Sequence, residues 1–117
     1  MTVFDVHTRS SAPRESRPIL AEIADSAGFV PNIFGLIASS PNALAGIQAM
    51  NRAFKQSSFT EQEQEVIALT TSVENQCAYC VAGHTTFAFA AHIDSSVIAG
   101  IRRGANIPDV RLEALRR

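Results

Sequence analysis

The residues of this chain that are best suited to chemistry are two cysteines and a histidine in one short stretch. The segment Cys77-Ala78-Tyr79-Cys80 contains both cysteines of the chain, and His84 follows four residues later. On a helix, positions 77, 80 and 84 share one face, because steps of three and four residues bring side chains over one another. The two thiols would then be close enough to form a disulfide, with an imidazole one turn beyond Cys80. Because the thiolate is the reactive form of cysteine, a dithiol beside a titratable imidazole predicts a redox site.

Three alternatives to a redox pair are open for the same spacing. A structural disulfide gains little here, because so short a loop removes little entropy from the unfolded chain. Zinc requires four ligands, and the sequence has no second pair of cysteines or histidines at zinc-finger spacing, since His7 and His92 are isolated. Two inert core cysteines are the third alternative. The redox pair is the preferred interpretation, and neither a metal nor a cofactor is predicted.

Composition indicates one globular domain. The chain has 117 residues, of which 46% are hydrophobic and 18% charged, which excludes a disordered protein. We expect an irregular N-terminal arm over residues 1–12 and a single helical domain over residues 13–117. The net charge is −1, Lys55 is the only lysine, and no basic run suggests a nucleic-acid partner.

The sequence also predicts a location. No segment approaches the 18 or so apolar residues that a membrane-spanning helix needs, so no membrane association is expected. The first residues lack the basic start and apolar stretch of a secretory signal. We therefore expect a cytoplasmic protein, and in that reducing compartment a paired CxxC is more often catalytic than structural.

Helix signals recur along the chain, whereas strand signals are nearly absent, so the predicted fold is all-α. Gly28 is a natural stop for a first helix, Ser40 and Pro41 are typical of a helix start, and Thr60 and Glu63 form a capping-box pattern. The spacing predicts helices that begin near residues 13, 31, 41, 60, 77, 94 and 109. Pro31 is expected in the first turn of its helix.

Glu65 is the fourth candidate for the site. If the helix that begins at Thr60 and the cysteine-bearing helix form an antiparallel hairpin about residues 74–77, Glu65 can face the turns that follow Cys80. A carboxylate that accepts a proton from His84 would fix the tautomer of the imidazole. The alternative is an exposed surface charge, the usual state of a helical glutamate.

Two helices favour assembly with other copies of the chain. The segment from Cys77 to His92 is apolar nearly all round, so it should be buried or lie at an interface. The last helix has Leu112 and Leu115 on one side, and these two side chains need a partner surface. Burial against identical subunits would cover both helices, which predicts a closed homo-oligomer.

The sequence resembles the alkyl hydroperoxidase D-like proteins of the carboxymuconolactone decarboxylase superfamily. The resemblance is carried by the pattern Glu65-x11-Cys77-x2-Cys80-x3-His84 and by the segments at residues 29–34 and 72–80. The resemblance implies an all-helical antioxidant peroxidase whose site is carried by a helical hairpin. It implies a dithiol at Cys77 and Cys80 and a proton relay through Glu65 and His84. Tyr79 stands where better-studied members can carry a second histidine. The decarboxylase branch lacks the CxxC pair, which argues against lactone decarboxylation.

The same resemblance implies partners. The substrate would be a hydroperoxide, and a peroxiredoxin or another thiol–disulfide protein would exchange electrons with the cysteines. The assembly would be a hexamer of three dimers or a trimer. A metal-binding or redox-sensing CxxC module without catalysis, or a structural oligomer that retains the motif, are the alternative functions.

The cysteines should have different roles. The first cysteine of a helical CxxC is commonly the more exposed, so we expect Cys77 to meet an outside disulfide and Cys80 to be deprotonated by His84. Two nearby residues are not expected to take part in catalysis. Glu74 is interpreted as a solvated charge, and Tyr79 as a packing or interface residue. His92 is expected to cap its helix.

Overall fold

Seven α-helices and one 3-10 turn form the regular structure in the computed structural model, which describes residues 4–117 and contains no strand within them. The predicted all-α class is confirmed. The helices are α1 (Arg17–Ala27), α2 (Asn32–Ile37), α3 (Pro41–Lys55), α4 (Glu61–Glu74), α5 (Ala78–Ala90), α6 (Ser95–Arg102) and α7 (Val110–Arg116), and the 3-10 turn is Arg14–Ser16. The chain divides into two compact units, with the division between Phe54 and Lys55.

The first unit contains α1, α2 and most of α3. As predicted, Gly28 ends α1, with the left-handed φ of 82° that glycine adopts without penalty. Pro31 immediately precedes α2 instead of lying in its first turn, a shift of one residue. The buried hydrophobic residues of this unit are Ala12, Leu20, Ile23, Ala38 and Leu44.

The N-terminal arm belongs to the first unit, and residues 4–12 contain no helix or strand. Its residues 1–3 lie outside the described part of the chain. The backbone N–H of His7 donates to the carbonyl of Gly35 in α2, at 3.1 Å. A Cβ at Gly35 would lie 2.7 Å from the carbonyl oxygen of His7, so only glycine permits this approach. The domain limits at residues 12 and 13 stay a prediction.

The second unit is built on an antiparallel hairpin of α4 and α5. Thr60 and Glu63 form the predicted capping box at the start of α4. Near the open end of the hairpin, the Gln62 side-chain amide donates to the Ala91 carbonyl at 3.1 Å, and at the closed end the Cys77 N–H donates to the Ser72 carbonyl at 3.0 Å. These two contacts give α4 and α5 opposite directions, as the hairpin prediction requires.

The core of the second unit joins the hairpin to α6 and α7. Its buried residues are Val66, Leu69, Ala88, Ala91, Ile93, Val97, Ile98, Ile101 and Ile107. Leu112 and Leu115 of α7 pack against this core and are partly buried by it. The expectation that these two leucines need a partner surface is therefore wrong, because the chain folds α7 back onto its own apolar cluster.

The outer face of α5 remains uncovered in the chain by itself. It consists of Ala78, Tyr79, Ala82, Thr86, Phe89 and Ala90, all of them exposed and uncharged. The two aromatic side chains of this face are 51% exposed at Tyr79 and 54% exposed at Phe89. Across residues 4–117, no helix combines the length and the apolar character that crossing a membrane requires.

Candidate active site

The two cysteines occupy the start of α5. Their sulfur atoms lie at disulfide-bonding distance, with the Cα atoms 5.3 Å apart. Cys77 is the N-cap residue, with φ −88° and ψ 93°, whereas Cys80 lies within the first turn. The expectation that positions 77, 80 and 84 all lie on a helix is thus wrong for Cys77. Its backbone is extended because the chain has just left α4 and must change direction before α5 begins.

The sulfur of Cys77 caps the helix. It accepts a hydrogen bond from the backbone N–H of Cys80, at 3.3 Å. This N–H is one of the first amide groups of α5, which have no partner inside the helix. The first turn of α5 contains no acidic residue. The Cys77 sulfur thus faces a backbone hydrogen-bond donor and the positive end of the helix dipole.

Glu65 and His84 meet across the hairpin. The Glu65 carboxylate oxygen Oε2 lies 3.0 Å from His84 Nδ1. The side chain of Glu65 is 22% exposed and that of His84 is 36% exposed, so both are partly screened from solvent. The imidazole also makes an edge-to-face contact with Phe87, with ring centroids 6.0 Å apart. A carboxylate bound at Nδ1 leaves Nε2 as the nitrogen for exchange with other groups.

The remaining sequence candidates lie outside this contact. Glu74 is the last residue of α4 and is exposed, as expected for a solvated charge. Tyr79 lies between the cysteines on the outer face of α5. His92 ends its helix through its backbone, with a left-handed φ of 58° just beyond the C-cap residue Ala91. Its position at the helix end agrees with the prediction, although the backbone and not the imidazole makes the turn.

Gln76 is the residue that the sequence did not reveal. It has a left-handed φ of 52°, and its N–H donates to the Val73 carbonyl at 2.9 Å. Together with the bond from Cys77 N–H to the Ser72 carbonyl, this is the Schellman pattern of a helix end. Glycine or asparagine at position 76 would have indicated such a turn, but glutamine gives no such signal.

A metal site has no support from the side-chain arrangement. Within residues 4–117, the His, Cys, Asp and Glu side chains form no group of three or more that could hold a metal ion. The four site residues instead form two pairs, the cysteines at the start of α5 and the Glu65–His84 contact one turn further along.

Residues 41–109, more than half of the 117-residue chain, match the carboxymuconolactone decarboxylase family. The chain belongs to this family. Within the carboxymuconolactone decarboxylase superfamily it is alkyl hydroperoxidase D-like, as the sequence resemblance predicted. The matched region runs from the start of α3 to the residue before α7, so it contains Glu65, Cys77, Cys80 and His84.

A solved structure extends the family assignment to the fold. It is the alkylhydroperoxidase AhpD core of an uncharacterized peroxidase-related protein from Ralstonia eutropha JMP134, with 31% sequence identity and a TM-score of 0.79. The match covers 95% of this chain and 60% of the Ralstonia chain. A search of curated proteins gives no match. The carboxymuconolactone decarboxylase family also includes decarboxylases, so family membership alone leaves the reaction to be argued from the site.

Proposed function

We propose that this protein is a thiol-dependent antioxidant oxidoreductase of the alkyl hydroperoxidase type. Its catalytic residues are Glu65, Cys77, Cys80 and His84, and its substrate is a hydroperoxide. The observation that carries the proposal is the 3.0 Å contact between Glu65 and His84 on the same hairpin as the cysteine pair. A carboxylate, an imidazole and a dithiol in this order supply an orienting group, a proton carrier and a two-electron donor.

The proton relay has a defined direction. Glu65 holds Nδ1 of His84, which fixes the tautomer and leaves Nε2 as the base. His84 follows Cys80 by four residues on α5, and residues at this spacing are neighbours on a helix surface. We therefore assign deprotonation of the Cys80 thiol to His84. The Cys77 sulfur, in contrast, lies at the helix N-terminus, where the Cys80 N–H and the helix dipole favour its thiolate.

The peroxide step builds on this assignment. The Cys80 thiolate attacks the terminal oxygen of the hydroperoxide, the O–O bond breaks, and Cys80 becomes a sulfenic acid. The departing alkoxide takes the proton that His84 received from Cys80 and leaves as an alcohol. The Cys77 thiolate then attacks the Cys80 sulfur, and the hydroxide that leaves becomes water with the proton from Cys77. The two thiols thus become a disulfide while one hydroperoxide becomes an alcohol and water.

A partner must return the disulfide to the dithiol. We propose a protein thiol that attacks Cys77, forms a mixed disulfide, and is itself oxidised when its second thiol resolves that bond. A peroxiredoxin can instead receive electrons from the reduced pair, in which case the protein serves as a reductant. The reducing cytoplasm is the compartment in which this cycle would run. The working form would be a homo-oligomer, with a hexamer of three dimers preferred and a trimer next.

The test is hydroperoxide consumption by the protein with a dithiol reductant. Cys77→Ser and Cys80→Ser should each abolish catalytic turnover, because neither cysteine can close the disulfide without the other. His84→Ala should slow turnover by about 10²-fold, the scale of a lost general base, with the helical content unchanged. Glu61→Gln is the matched control, since it removes an exposed carboxylate from the same helix as Glu65, at the end away from the cysteines, and should leave the rate unchanged.

The alternatives have distinct outcomes. Peroxide turnover that survives in both cysteine variants would remove the dithiol from the mechanism. No thiol-dependent turnover with either peroxide or a disulfide substrate would favour the structural oligomer. About one zinc per chain in the purified protein would favour the metal-binding module.

A further inference from the structure

Two residues other than glycine have a left-handed backbone within residues 4–117, and they flank α5. Gln76 has φ 52° and ends α4, whereas His92 has φ 58° and ends α5. The comparable positions beyond α1 and α6 are Gly28 and Gly104, with φ 82° and 65°. A side chain with a Cβ is disfavoured in this region, so both Gln76 and His92 hold their conformation at a cost in stability.

Gln76 differs from His92 in its connection to the cysteine pair. The residue after Gln76, Cys77, is both the last member of the Schellman turn of α4 and the N-cap of α5. Its N–H donates to the Ser72 carbonyl at 3.0 Å, and its sulfur accepts from the Cys80 N–H at 3.3 Å. One residue thus connects the end of one helix to the start of the next. A change in the backbone at Gln76 must move Cys77 relative to α4, to α5, or to both.

We propose that Gln76 is a positioning residue for Cys77, whose left-handed backbone conformation holds the Cys77 sulfur against the first N–H groups of α5. The inference rests on the proposed function, because it concerns how one cysteine of the dithiol is activated. Each of the two thiols is then activated by a different structural feature. The helix terminus set by Gln76 favours the Cys77 thiolate, and the Glu65–His84 pair serves Cys80.

The charged groups around Cys77 leave this role to the helix terminus. Glu74, at the end of α4, is three residues away, and its negative charge opposes a thiolate. Arg116 of α7 interacts electrostatically with Glu74, which offsets part of that effect. The Glu65–His84 contact lies further along the hairpin, beyond Cys80. No acidic residue occupies the first turn of α5 itself.

The experiment is a thiolate titration by ultraviolet absorbance in the full chain with Cys80→Ser, which leaves Cys77 as the only thiol and retains the N–H at position 80. Gln76→Gly should leave the titration midpoint unchanged, because glycine adopts the left-handed conformation freely. Gln76→Val should raise the midpoint by about one pH unit, the scale of a helix-terminus interaction. Below the midpoint, alkylation of Cys77 should then be about tenfold slower.

His92→Val is the matched control. It imposes the same backbone conflict at the other end of α5 and should lower the melting temperature without moving the Cys77 midpoint. Glu74→Gln should lower the midpoint by the same amount with or without the Gln76→Gly substitution, since its effect is through charge. If Gln76→Val does not fold, Gln76→Ala is the milder variant and should raise the midpoint by a smaller amount.

An unchanged midpoint in the folded Gln76→Val or Gln76→Ala protein overturns the proposal and leaves Gln76 a purely structural residue. A midpoint that moves equally in His92→Val overturns it as well, because general loosening of α5 would then be the cause. The titration requires no peroxide and no turnover. Its result therefore stands apart from whether the protein is a peroxidase.

Discussion

At the scale of single residues, Glu65 and His84 meet in one contact, so the functional roles proposed for them are coupled. The carboxylate meets Nδ1 at 3.0 Å, so the role proposed for Glu65 is exerted through the imidazole. Mutations of groups that share one interaction are not additive. This property separates a relay from two independent surface charges.

We predict that Glu65→Gln slows peroxide turnover by about tenfold or more, less than the His84→Ala change, because the base is retained but no longer oriented. The Glu65→Gln, His84→Ala double variant should be no slower than His84→Ala alone. Steady-state kinetics of the four proteins measures the coupling. A double variant whose loss equals the product of the two single losses would mean that the residues act separately.

The sequence was sufficient to choose the four candidate site residues from their types and spacing, namely Glu65, Cys77, Cys80 and His84. The sequence also predicted that Glu65 and His84 would meet if the hairpin formed, and the structure contains this contact. The position of Cys77 outside the helix was missed. The residue at which α5 starts depends on how α4 ends. That end is set by the left-handed backbone at Gln76, and glutamine is not a residue type that indicates such a turn.

At the scale of elements, the capping box at Thr60 fixes where α4 begins. The Thr60 hydroxyl accepts from the Glu63 N–H at 3.2 Å, and the Glu63 carboxylate accepts from the Thr60 N–H at 2.8 Å. The Thr60 N–H bond and the ion pair with Arg111 of α7 lower the pKa of Glu63 against the opposing effect of burial. The start of α4 is thereby tied to α7.

We predict that Thr60→Ala lowers the free energy of unfolding by about 1 kcal/mol, the usual loss for an N-cap hydroxyl. Urea unfolding followed by circular dichroism measures the change. Thr71→Ala, at an exposed position of the same helix, is the control and should cost less. Equal losses in the two variants would mean that the capping box adds nothing beyond the loss of a hydroxyl.

The position of α7 depends on Glu113. Its carboxylate accepts from Arg116 Nη2 at 2.7 Å and from the Ile107 N–H at 3.1 Å, in the loop that precedes α7. Hydrogen bonding from Arg116 first, and from the Ile107 N–H second, lowers the pKa of Glu113 from 4.5 to about 2. The ionised carboxylate is thus the form that holds α7 to its loop.

The pH dependence of stability follows from the sign of the Glu113 pKa shift. A carboxyl whose pKa is lower in the folded state stabilises fully above its unfolded value of 4.5 and loses that effect as the pH falls towards about 2. We predict that the melting temperature falls less steeply over this range in Glu113→Gln than in the wild type. Glu61→Gln removes an exposed carboxylate from the same unit and is the control. Parallel curves for wild type and Glu113→Gln would remove Glu113 from the acid response.

At the scale of the whole molecule, the exposed outer face of α5 is the remaining argument for assembly. The core of the second unit partly buries Leu112 and Leu115 of α7, so the case for an oligomer depends on the outer face of α5 with its two exposed aromatic side chains. Large exposed apolar faces are typical of interaction surfaces. The proposed reaction cycle further requires that Cys77 remain reachable for a partner thiol in such an assembly.

We predict sedimentation of the wild type as a hexamer or trimer at micromolar concentration, because copies of the chain can cover the outer face of α5 for one another. Phe89→Glu should shift the distribution towards the 12.6 kDa monomer, since it places a charge on that face. Val110→Glu, at an exposed apolar residue outside α5, is the control. A wild-type protein that sediments as a stable monomer would contradict the prediction.

The sequence by itself determined the helical class, most helix limits and the four candidate residues. These depend on local rules: glycine at a helix end, threonine with glutamate at a helix start, and the spacing of side chains on one turn. Such rules act between residues a few positions apart, so their outcome can be predicted directly from the sequence.

Tertiary structure alone decided the rest. The 3.0 Å approach of Glu65 to His84 joins residues 19 apart and requires α4 and α5 to pack in one register. The partial burial of Leu112 and Leu115 depends on α7 packing against the core of the second unit, which removes the predicted need for a partner surface at these two leucines. The left-handed turn at Gln76 is tolerated because the bonds to Val73 and Ser72 hold it. Packing between distant segments outweighs the local conformational preference at these positions, so residue type alone does not predict the outcome.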